Sequence, residues 1–125
     1  MTNILWLSRH PMTEEQVSSL TEKLGVVEIT QVNGTIQNVH IPFDAEINGV
    51  QHTGLKPLKE WISNFDVIAV VAPIGLLQQI VQFAADKPVI SALNKRIRIG
   101  AGEEFKFEFE KWERITKVEI VKEDF

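Results

Sequence analysis

Asp66-Val67-Ile68-Ala69-Val70-Val71-Ala72 is the most strand-like stretch of the 125-residue chain. Its apolar residues run on without alternation, the pattern of a strand covered on both faces in the middle of a parallel sheet. Pro73-Ile74-Gly75 makes the turn after it. Beyond that turn Leu76, Leu77, Ile80, Val81 and Ala84 recur at helical spacing with Gln78, Gln79 and Gln82 opposite, so a helix lays an apolar stripe on the sheet. Residues Pro88 to Leu93 supply the next strand. Strand, helix and strand in this order imply a right-handed crossover between parallel neighbours.

The N-terminus repeats the theme. Asn3 to Ser8 is a second near-continuous apolar run, closed by Arg9-His10-Pro11. Thr13-Glu14-Glu15-Gln16 has the spacing of a capping box, which starts a helix near Glu14. Val17, Leu20 and Leu24 give that helix its apolar face, and Gly25 stands where a left-handed C-terminal cap is least costly. Val26 to Val32 alternates and is rich in β-branched residues, so it reads as the second strand, with Asn33-Gly34 as a turn.

Between Thr35 and Thr53 the pattern is poor and fits one or two short hairpins or an ordered loop, with Asn48-Gly49 as a turn signal. Leu55, Leu58, Trp61 and Ile62 mark a short helix with Pro57 in its first turn, ending by Asn64. At the other end Phe105, Phe107 and Phe109 alternate with Lys106, Glu108 and Glu110, one dry face and one charged face. Val118 to Val121 continues in the same style after a bend near Trp112 to Arg114, so a C-terminal antiparallel β-hairpin is expected at about 104–122. The expected architecture is one α/β domain over residues 1–125, small and Rossmann-like. Its mainly parallel sheet of about four strands has order 2-1-3-4, with helices on both faces.

Composition narrows the partners. With 13 Lys and Arg against 17 Asp and Glu, the formal net charge is -4, which implies no broad attraction to long nucleic acid or to an anionic membrane. There is no cysteine, which excludes a thiol nucleophile, a disulfide framework and sulfur-ligated zinc, and which fits a reducing cytoplasm. No apolar run approaches the roughly 20 residues of a membrane-spanning helix. No helix carries His or carboxylates at metal-ligand spacing, and neither a glycine-rich dinucleotide fingerprint nor a phosphate-binding Gly-Lys-Ser/Thr motif is present, so no metal or cofactor is expected.

In an open parallel sheet, ligands lie beyond the carboxyl ends of the strands, beside the reversal of winding. For the expected order that crevice is walled by Ser8, Arg9, His10, Met12 and Thr13 on one side and by Pro73, Ile74 and Gly75 on the other. Both walls lead into helix N-termini, whose spare amides favour an anion. Asn94, Lys95 and Arg96, with Arg98 beyond, are read as a basic loop after the fourth strand and as a third phosphate-binding element, with a solvated loop as the competing reading. His40 and His52 are given no role. Trp6, Trp61 and Trp112 are read as core or interface residues, and the Phe105/Phe107/Phe109 stripe as core or a dimer seam in preference to a base-stacking surface.

The opening strand followed by Ser8-Arg9-His10 bears a short likeness to the strand-Arg-His-Gly start of histidine phosphatases, with Pro11 where that family has glycine. A broader likeness rests on the apolar first strand running into Ser8-x-His10-Pro11-Met12-Thr13-x-x-Gln16, on domain size, and on Pro73-Ile74-Gly75 before the third helix. In these the chain resembles small Rossmann-like CRISPR-associated accessory proteins linked to cyclic oligoadenylate signalling, some of which are ring nucleases. The resemblance implies a cytoplasmic homodimer in antiviral defence that binds a cyclic nucleotide or other phosphorylated small molecule. It also implies a metal-independent phosphodiesterase reaction in which a ribose 2′-hydroxyl attacks the adjacent phosphate. On that reading Arg9 and Lys95 or Arg96 stabilise the phosphoryl group and His10 is the acid/base. The alternatives are a non-catalytic sponge for such a ligand and a protein-interaction module without one.

Overall fold

The computed structural model describes residues 1–32, 40–47, 49–100, 102 and 104–125, with the backbone alone for 40–45 and 56. In chain order the elements are β1 (Thr2–Leu7), α1 (Glu14–Leu24), β2 (Val27–Val32), β3 (His40–Ile47), β4 (Val50–Pro57), α2 (Leu58–Ile62), β5 (Val67–Val70), α3 (Ile74–Ala84), β6 (Val89–Arg98) and β7 (Phe105–Arg114). The fold is mixed α/β around a mainly parallel sheet of order β2-β1-β5-β6-β7, in which only β7 runs antiparallel, and β3 and β4 form a separate antiparallel pair.

The unalternating strands are buried on both sides because each face has its own helical cover. Leu5, Leu7, Ile68, Val70 and Val89 pack with α2 and α3 through Trp61, Ile62, Ile80 and Ala84. Ile4, Trp6, Val67, Ala69 and Ile90 pack with Leu20 of α1 and with Trp112 of β7. Since α1 joins β1 to β2 and α3 joins β5 to β6, the winding reverses between β1 and β5. Local chemistry agrees with these bounds. Thr13 and Gln16 form the expected capping box, and Lys87 Nζ donates to the carbonyls of Ile62 and Ser63 at the end of α2. Gly25 ends α1 at φ 80° and ψ -145°, a positive-φ conformation that suits glycine but is not the left-handed cap expected there.

Several expectations are corrected. The sheet has five strands, not about four: the parallel strands stand in the order β2-β1-β5-β6, β7 extends them antiparallel as a fifth, and β3 and β4 form their own hairpin outside the sheet. Leu55 and Pro57 belong to β4, not to the helix. Pro57 serves as N-cap of α2, because its fixed φ of -56° suits a strand-to-helix corner. The turn expected at Asn33-Gly34 lies outside the described residues, as does Asn48; Gly49 turns β3 into β4 with φ 79°.

The largest correction concerns the C-terminus. Phe105 to Phe109 does not pair with Val118 to Val121, which has no strand structure, and there is no break at Trp112. Instead β7 pairs along the whole length of β6, from Ile90↔Arg114 to Arg98↔Phe105. Asn94, Lys95 and Arg96 therefore lie inside a strand and not in a loop. The cause is supplied by the ladder itself, which gives every polar residue of 94–98 an aromatic or charged partner across it. The register shifts between Leu93 and Asn94, leaving Glu110 as the extra residue of a β-bulge. Pairing of β6 with β5 stops at Ala69↔Ile90. Beyond it the two strands continue as an arm past the carboxyl ends of β1 and β5.

Candidate functional site

The arm, the loop after β1 and the loop after β5 all lie at the carboxyl end of the parallel strands, as the strand directions require. They do not all line one cavity. An open groove of about 690 Å³ lies between the first turn of α1 and the arm, lined by Thr13, Glu14, Glu15, Gln16, Asn94 and Lys106 to Phe109. Of the expected site residues it brings together Thr13 and Asn94. Ser8, Arg9, His10, Met12, Pro73, Ile74, Gly75, Lys95 and Arg96 are not in its lining.

The loop after β1 is tied to its own strand. Trp6 Nε1 donates to the His10 carbonyl at 2.7 Å, the His10 amide donates to Ser8 Oγ at 3.2 Å, and Gln31 Nε2 donates to the Ser8 carbonyl at 3.0 Å. These bonds fix the backbone while the Arg9 and His10 side chains stay exposed. Met12 is half-buried against the α1-side core. At the start of α1, Thr13 Oγ1 accepts from the Gln16 amide at 3.2 Å and Gln16 Oε1 accepts from the Thr13 amide at 2.9 Å. Two amides that an anion would need are thus engaged, and the Glu14 and Glu15 carboxylates already complement the helix dipole. Pro73, Ile74 and Gly75 begin α3 on the opposite face of the sheet. Pro73 accepts from the Leu77 amide at 2.9 Å and makes no side-chain cap, while Ile74 and Gly75 are exposed.

Strand alternation sorts the basic residues of β6. Asn94, Arg96 and Arg98 stand opposite Phe109, Phe107 and Phe105, and residues directly opposite share a face. That face is the α1 side, because the Phe109 ring lies 5.7 Å from Trp112, whose Nε1 donates to the Gln16 carbonyl at 3.1 Å. The Arg96 guanidinium sits over the Phe105 ring at 3.7 Å, and Arg98 Nε donates to the Gly102 carbonyl at 3.0 Å. Lys95 projects to the other face and pairs with Glu110 at 3.6 Å. The cationic cluster read from sequence is split in two, with Arg96 and Arg98 facing the groove side and Lys95 turned away.

Sequence reasoning misses Phe107 and Phe109 as site residues. Phe107 is 75% exposed and Phe105 41%, so the stripe is not a dry core face. A signal was present in the polar composition of Asn94 to Arg98: a strand whose cross-strand partners are Asn and Arg cannot seal three phenylalanines from water. Glu14, Glu15, Gln16, Lys106 and Glu108 complete the lining and offer side-chain donors and acceptors around the aromatic floor. Among the described residues no group of three or more His, Asp or Glu is placed to hold a metal ion, and no helix is long and apolar enough to cross a membrane. No protein-family model, curated protein or solved structure matches the chain.

Proposed function

We propose that the chain binds a nucleotide-type ligand in the groove between the first turn of α1 and the β6–β7 arm. The base stacks on Phe107 and Phe109, and the phosphate lies toward Arg96. The carrying observation is the exposed aromatic face with arginines on the same side of the same two strands, bordering a groove of about 690 Å³. That volume suits a ligand of nucleotide size. Stacking of a base on an aromatic side chain contributes about 1–3 kcal/mol whichever base is present, and a guanidinium next to it supplies a charge-assisted contact to phosphate.

The groove lining favours the base over the phosphate as its occupant. Glu14, Glu15 and Glu108 accept hydrogen bonds from exocyclic amines but repel an anion, and the Asn94 amide both donates and accepts. An amine-bearing base such as adenine fits this chemistry, which agrees with the resemblance to cyclic oligoadenylate-linked proteins. Binding, not turnover, is the function proposed: the residues expected for ring cleavage, Arg9 and His10, do not line the groove.

The test is calorimetric titration with AMP, cyclic dinucleotides and cyclic oligoadenylates, with chromatography of each mixture. Saturable binding of an adenine nucleotide without product is the expected result. Absence of binding across the panel contradicts the proposal, and accumulation of linear product would restore catalysis to the account.

A further inference from the structure

We infer that the outer edge of β7 pairs antiparallel with the same strand of a second copy, joining the two sheets into one. Among the described residues β7 has a partner strand only on its β6 side. The direction of its backbone groups follows from its two ends. Ile99 N donates to the Glu104 carbonyl and Ile115 N donates to the Val89 carbonyl, so residues 104 and 115 face β6. Antiparallel alternation from each end then turns the amides and carbonyls of Phe105, Phe107, Trp112 and Arg114 outward, the bulge at Glu110 absorbing the change of parity.

A two-fold axis at the bulge matches these outward groups in one register. Phe105 of one copy stands opposite Arg114 of the other and Phe107 opposite Trp112, all with outward backbones, over the full length of the strand. In the same register Lys106 stands opposite Glu113 and Glu108 opposite Lys111, each twice by symmetry. A shift by two residues sets Lys106 against Lys111 in one direction and Glu108 against Glu113 in the other. Charges on an edge strand ordinarily keep strands apart, and here they exclude the wrong registers while complementing a single one. The pairing is isologous, as a closed dimer requires, and puts both Phe107 side chains on the same face of the joined sheet.

Sedimentation equilibrium of the full chain tests this with a charge swap. Wild type is expected to be a dimer. Lys106→Glu sets Glu against Glu113 at both ends and should weaken the dimer by about tenfold or more, since each like-charge pair occurs twice. The double variant Lys106→Glu/Glu113→Lys restores the complement and should recover the wild-type association, which a merely misfolded variant would not. A monomeric wild type, a dimer indifferent to Lys106→Glu, or failure of the second substitution to rescue overturns the inference.

Discussion

The indole rings of Trp6 and Trp112 meet edge to face, with centroids 5.8 Å apart and planes at 88°. The contact joins β1 to β7, across the face that α1 covers. Trp6 also holds the His10 carbonyl and Trp112 the Gln16 carbonyl, so the pair sets where the loop after β1 and the first turn of α1 stand relative to the arm. The groove is a consequence of that placement.

Trp112→Ala removes an aromatic contact, a hydrogen bond and part of the α1-side core. A loss of about 2–4 kcal/mol is expected, at or below the usual range for a large aromatic because Trp112 is only half-buried. Urea unfolding measures it, and an unchanged midpoint would show that β7 is not docked on α1.

Thr13→Ala breaks the capping box and should cost about 1 kcal/mol, while Thr13→Ser should cost little because the hydroxyl is retained. Thermal unfolding distinguishes the two. Equal losses in both variants would assign the effect to the Thr13 methyl group instead.

Phe107→Ala separates binding from stability. The side chain is largely exposed, so unfolding free energy should move by less than about 0.5 kcal/mol. Affinity for an adenine nucleotide should fall about tenfold or more, the loss of one stacking platform. A variant that unfolds early, or binds as well as wild type, contradicts this division.

Arg96→Ala and Lys95→Ala should behave differently although the residues are neighbours. Arg96 shares the aromatic face and Lys95 is paired with Glu110 on the other. Only Arg96→Ala should weaken binding and flatten its dependence on salt. Equal effects would mean that phosphate is held by diffuse charge and not by a face of the arm.

The layered part of the fold was legible in the sequence because burial on both faces leaves a simple trace. Asp66 to Ala72 and Asn3 to Ser8 lack alternation, and Thr13 to Gln16 announces α1 by the chemistry of its cap. The arm was not legible, for a physical reason. A strand pair standing beyond the core has no apolar inner face, so Asn94 to Arg98 reads as a loop, and the phenylalanines opposite read as a core stripe. The candidate groove was half legible for the same reason: of the residues expected at the strand ends, Thr13 and Asn94 line it and the others do not. Its aromatic floor comes from pairing between segments whose partnership no local pattern announces.

Amide chemical-shift mapping of the full chain during titration with an adenine nucleotide tests the central claim most directly. The account predicts that perturbations concentrate at Glu14 to Gln16, Asn94 to Arg96 and Lys106 to Phe109. Perturbations confined to Arg9, His10 and the Ile74 to Gly75 turn, with the arm unaffected, would contradict it.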